Sequence, residues 1–143
     1  MKRIIKILAF GGLVCICGLL CLPMTAVSSE VPTIEPPVIV TTCGQSPGAV
    51  MVKMSLMQAQ IVPVENNNTI TASELKGKGY KTLIVTTGTS GKGMGAAGTN
   101  INKEIARCKE VITAAKEEGM VVITAHVEGM ARRTDSADQQ SID

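Results

Sequence analysis

Four clusters of residues in this chain could support chemistry. The first is Thr82–Gly98, TLIVTTGTSGKGMGAAG, where a β-branched run ends in a segment holding five glycines and one lysine. Backbone N–H groups of Gly91, Gly93 and Gly95, with Ser90 as hydroxyl donor and Lys92 as point charge, would form a nest for an anion. The plainer alternative is a wide turn that merely needs positive φ angles. The second cluster is Cys43-Gly44-Gln45-Ser46. Gln45 and Ser46 offer polar contacts, and Cys43 is either a thiolate nucleophile activated by a following helix or a buried small residue. The third is His126, the only histidine, which is a general base, a ligand-orienting donor or a structural hydrogen-bonding residue. The fourth is Arg132-Arg133, a solvated pair or a bidentate clamp on carboxylate or phosphate opposite Lys92.

Stricter motifs do not match. Gly93-Met94-Gly95-Ala96-Ala97-Gly98 is formally G-x-G-x-x-G, but Gly88 to Lys92 separate it from the strand. No acid about 20 residues later is placed for a ribose contact, so dinucleotide binding is not expected. A phosphate-binding P-loop would need a glycine at Thr86 and a hydroxyl residue at Gly93. A phosphatase-type cysteine loop would need arginine at Ala49. His126 with Glu128, Asp135 and Asp138 lacks a metal-ligand spacing, so neither metal nor cofactor is expected. Glu104 and Arg107, one helical turn apart, read as a surface pair, with Glu104 alternatively ordering the glycine segment.

The elements that must position these groups alternate in type. Val38–Thr42 reads as a strand, followed by a turn and a helix that Ser46 caps and Pro47 opens, running to about Ala59. Its buried face is expected to carry Val50, Met54 and Met57. Ile61–Glu65 reads as a second strand, and Thr71 with Glu74 as a capping box on a short helix ended by Gly77 and Gly79. Thr82–Thr87 is the strongest strand. Asn100 or Asn102 caps a helix to about Glu118 carrying Ile101, Ile105, Cys108, Ile112 and Ala115 on one face, with Gly119 after it. Val121–Ala125 is a fourth strand, and Asp135 or Ser136 caps a further helix. Strands alternating with helices predict an α/β three-layer sandwich, flavodoxin-like or Rossmann-like, with a mostly parallel sheet in order 2-1-3-4 that lacks its last strand. The loops after strands one, three and four would then meet at a switch-point crevice.

The chain ends set the expected location. Lys2, Arg3 and Lys6 precede an apolar run, Ile7–Leu22, then Pro23 and the small-x-small sequence Ala26-Val27-Ser28. This predicts a signal peptide over 1–28, a Pro-rich linker over 29–37 and a domain over 38–143. An uncleaved segment would be the only membrane attachment. Cys15, Cys17 and Cys21 read as apolar filler, leaving Cys43 and Cys108 as two free thiols. Loss of the three leading cations leaves eleven basic against twelve acidic residues. With one Tyr, one Phe and no Trp, the chain lacks the field and stacking surfaces of a nucleic-acid binder.

Gly88-Thr89-Ser90-Gly91-Lys92-Gly93-Met94-Gly95-Ala96-Ala97-Gly98, then Glu104-Ile105-Ala106-Arg107 and His126 through Arg133, resemble a family of exported prokaryotic proteins known as a domain of unknown function. Cys43-Gly44-Gln45-Ser46 resembles that family's G-Q-S turn. The resemblance implies a further strand and helix beyond Asp143 and brings no activity. The expectation is an exported protein that binds a small, anionic ligand through Gln45, Ser46, Ser90, Gly91, Lys92, Gly93, Gly95, Arg132 and Arg133. The alternatives are a hydrolase or transferase using His126 with Ser46, Ser90 or Cys43, and an envelope-associated interaction module.

Overall fold

The computed structural model describes residues 31–129, 131 and 136–143. The leader and the Arg132-Arg133 pair lie outside the described residues. The elements in chain order are β1 (Val38–Cys43), α1 (Gly48–Gln58), β2 (Val64–Asn66), α2 (Ala72–Leu75), β3 (Thr82–Thr87), α3 (Gly91–Ala96), α4 (Ile101–Glu117), β4 (Val121–Ala125) and α5 (Ser136–Ile142). The β-branched runs VIVTTC and TLIVTT are buried at every position, as strands covered on both faces must be. They form the centre of an all-parallel sheet in order β2-β1-β3-β4, the arrangement of flavodoxin-like and Rossmann-like folds.

Right-handed crossovers decide which helix covers which face. The step from β1 to β2 runs one way along the sheet, so α1 packs on one face over Val38, Val40 and Ile84. The later steps run the other way, so α2 and α4 cover the opposite face with Ile39, Leu83 and Val85. Thr71 accepts from the Glu74 amide and Glu74 returns a carboxylate to the Thr71 amide, completing the predicted capping box. Asn100 caps α4 through the Lys103 amide at 3.1 Å. No helix among the described residues is long and apolar enough to cross a membrane.

Three local expectations are corrected. In α1 the buried side chains are Ala49 and Leu56, while Val50, Met54 and Met57 are 44, 57 and 53 % exposed. The helix is apolar around most of its circumference, so spacing alone permits either face. Close approach at its start decides: a Cβ on Gly48 would lie 3.1 Å from Val127 and 3.4 Å from Thr86, so small residues must face the sheet there. Ser46 does not cap this helix; Pro47 occupies the cap position without a side-chain bond. Finally, β2 begins at Val64 rather than Ile61, because Pro63 has no N–H for a ladder and gives its carbonyl to the Val38 amide at 3.0 Å.

The face assignment is testable by chemical denaturation. Leu56→Ala should cost about 3 kcal/mol by opening a cavity, whereas Met54→Ala should stay within about 0.5 kcal/mol.

Candidate functional site

Parallel register brings the ends of three strands to one edge, with Cys43 beside Thr87 and Thr86 beside Ala125. The loops leaving β1 and β3 are fastened to each other. The Ser90 amide donates to the Gly44 carbonyl at 2.8 Å, and Gln45 bridges Thr89. Gly44 takes a φ of 106°, and a Cβ there would lie 2.5 Å from the Gly88 carbonyl oxygen, so only glycine fits. Gln45 also has positive φ, at 60°. Its side-chain amide is held at 2.9 Å by both the Asn68 carbonyl and Glu104.

Glu104 and Arg107 are not a surface pair. Glu104 is 2 % exposed and pairs with Arg107 at 2.8 Å. The same carboxylate accepts from the Gly44 amide at 3.3 Å. Arg107 then donates to the Ile70 carbonyl at 3.1 Å, the Thr41 hydroxyl at 3.4 Å and the Thr42 carbonyl. The two side chains thus bolt α4 to the end of β1 and to the first loop. Burial pushes the Glu104 carboxyl up, but the Arg107 hydrogen bond and charge, with the Gln45 and Gly44 donors, outweigh it and hold it below its ordinary value.

The glycine segment is largely helical. Ser90 caps α3 by accepting from the Gly93 amide at 3.1 Å, which offsets the poor helix propensity of the glycines, and Gly98 ends the turn with a φ of 64°. Gly91 and Lys92 are exposed, and a Cβ at Gly91 or Gly95 would meet open space. Gly93, in contrast, backs onto the Gln45 carbonyl with no room for a side chain. Ser46 is buried, its hydroxyl 3.5 Å from that of Thr42.

Sequence reading missed the anchor of this segment. Asp138, 2 % exposed, accepts from both the amide and the hydroxyl of Thr89, and the Gly88 amide donates to Ser141 at 3.1 Å. Asp138 and Ser141 are one turn apart on α5 and so meet the β3 loop together, a contact that no local spacing announces. The third loop arrives at the same place. A Cβ on Gly88 would lie 3.0 Å from the Ser46 hydroxyl and 3.2 Å from the Glu128 carboxylate.

Beside this junction a groove of about 270 Å³ opens between α4 and α5. Its lining includes Cys43, Thr87, Cys108, Ile112, His126 and Ile142. His126 Nε2 faces the Gly129 carbonyl at 3.2 Å, which can only accept, so that nitrogen carries a proton. Nδ1 then meets the Thr87 hydroxyl at 3.2 Å. His126 therefore pairs with Thr87, while Ser46 lies against Thr42, Ser90 accepts from Gly93, and Cys43 is a free, buried thiol. Among the described residues no group of three His, Cys, Asp or Glu is placed to hold a metal ion.

The edge thus gathers Gln45, Ser46, Ser90, Gly93 and His126, and uses most of their polar atoms to hold the loops together. The chain matches the family described as Domain of unknown function (DUF6305) over residues 35–143, and it belongs to that family. No curated protein and no solved structure matches it.

Removing Glu104 leaves the partly buried Arg107 without its counter-charge. Glu104→Ala should therefore lower unfolding free energy by about 3 kcal/mol in urea titration. The folded carboxyl ionises below its ordinary 4.5, so its contribution is full above that pH and is lost as pH falls through the folded value. Stability should decline on acidification below about pH 4.5, and less steeply in Glu104→Gln.

Proposed function

We propose that this DUF6305 protein binds a small ligand in the groove at the C-terminal edge of its sheet. The ligand's apolar body lies between α4 and α5, and its polar or anionic end meets Thr87, His126 and the rim residue Lys109. One observation carries the reading: the groove opens where β1, β3 and β4 all end, beside the reversal of strand order. Apolar walls with a few convergent polar groups are the usual make-up of a binding cleft. The exposed Lys92 on α3 supports an adjoining seat for a small inorganic anion. Export belongs to the same proposal, supported by the basic start and apolar run of residues 1–28.

A second reading, hydrolysis, is favoured by the His126 geometry. An imidazole anchored at Nε2 with a hydroxyl on Nδ1 is the base–nucleophile arrangement that acyl transfer uses.

Thermal melts of the full chain with butyrate, hexanoate or benzoate, beside phosphate and sulfate, separate these readings. Under groove binding a carboxylate with an apolar body raises Tm by mass action, about 2.7 kcal/mol at a hundredfold excess over Kd. Ile112→Trp, which fills the groove, should abolish that rise while Lys92→Ala keeps it. A rise with phosphate alone, lost in Lys92→Ala, would move the site to α3. Turnover of phenyl acetate that vanishes in both Thr87→Val and His126→Ala would support the hydrolase. A melt that no probe moves would favour an interaction module.

A further inference from the structure

Cys43 and Cys108 come from elements far apart in sequence, the end of β1 and the middle of α4, yet both side chains pack into the same core cluster. Each is 4 % exposed, and both line the groove, so the path to solvent runs through it. The Cys108 thiol donates at 3.6 Å to the carbonyl of Thr42, the residue before Cys43. Around the pair stand Arg107, fixed by Thr41, Thr42 and Ile70, and the carboxylate of Glu104. We propose that Cys43 and Cys108 form a redox pair, oxidised from dithiol to intramolecular disulfide by a hydroperoxide that enters through the groove.

The two sulfurs have different roles. The Cys108 side chain beside it lowers the Cys43 thiol against the effect of burial and of Glu104, and the Arg107 charge adds to the lowering. The neighbouring Cys43 and burial push the Cys108 thiol up. Cys43 is therefore the attacking sulfur and Cys108 the resolving one. In the first step Cys43 sulfur bonds to one peroxide oxygen and the O–O bond breaks. The leaving oxygen takes the Cys43 proton, and Cys43 becomes a sulfenic acid. In the second step Cys108 sulfur bonds to Cys43 sulfur and the S–O bond breaks; the departing hydroxide leaves as water with the Cys108 proton. Two thiols lose two electrons and two protons, and hydrogen peroxide becomes two waters. Closure requires β1 and α4 to draw together, since bonded sulfurs lie about 2.05 Å apart.

The test uses the full chain with Cys15, Cys17 and Cys21 replaced by Ser, fully reduced, then treated with hydrogen peroxide. After quenching, unfolding and alkylation, peptide mass spectrometry should find Cys43 linked to Cys108, with neither residue alkylated and dithiothreitol reversing the link. Tm should rise on oxidation, because the link constrains the unfolded chain. Cys108→Ser should stop at a sulfenic acid on Cys43 that dimedone traps. Cys43 alone should react about tenfold faster than Cys108 alone. The proposal is overturned if both cysteines of the intact pair are alkylated after peroxide. It is equally overturned if Cys43 advances to sulfinic acid with Cys108 still free, or if only links between chains form. The intact-pair result does not depend on either variant folding, nor on any ligand occupying the groove.

Discussion

A carboxylate out of contact with water has to be matched, and the match that Glu104 finds organises one whole edge of this protein. Its Oε2 takes hydrogen bonds from Arg107, from the Gln45 side chain and from the Gly44 amide. Arg107 in turn reaches the backbone at Thr42 and Ile70. A helix, a strand end and two loops are thereby fixed by one ion pair. Such a pair adds little over an apolar replacement, but half of it is strongly destabilising. Its effect here is positional: it sets the backbone of Gly44 and Gln45, against which the β3 loop is then zipped.

That zipping explains the glycine content differently from ligand binding. Gly44 and Gly93 sit where one loop backbone presses on another, leaving no space for a Cβ. Gly91 and Gly95 face open space and have no such steric reason. The segment thus divides into glycines required by packing and glycines available to a partner. The groove lies next to this junction rather than within it, and its floor carries thiols and a hydroxyl instead of amides.

Much of the fold was legible because strong local signals agreed with each other. β3 and β4 have the limits their β-branched runs predict, and Thr71 and Asn100 cap the helices their spacing announced. The strand order is the default of the flavodoxin-like sandwich that the alternation predicted. Failures occurred where a local pattern was degenerate or its partner distant. In α1 apolar residues on every side left the buried face undetermined, and only the approach of Gly48 to Val127 selected it. Glu104 looked like a surface residue because its spacing to Arg107 carries no information about burial. Ser90 has a structural part that its sequence position did not announce, accepting from the Gly93 amide. Asp138 and Ser141 lie about fifty residues from the amides they hold, beyond the reach of any local pattern. The mutual contact of Cys43 and Cys108 was hidden for the same reason.

The parallel register has a consequence for how the chain reaches this state. The nearest ladder partners, Val38 with Val64, are already separated by a complete helix, and Val38 with Thr82 by two. No strand can borrow a tight hairpin to begin pairing. Loop-closure entropy must be met before any ladder bond returns it, which places such topologies among the slower folders. Until then VIVTTC and TLIVTT, whose every residue ends up buried, stand without a sheet to join. Short apolar, β-branched and uncharged stretches of this kind are the ones that self-associate when left exposed. The charges nearest to them in sequence are Glu35 before one, and Lys78 and Lys81 before and Lys92 after the other.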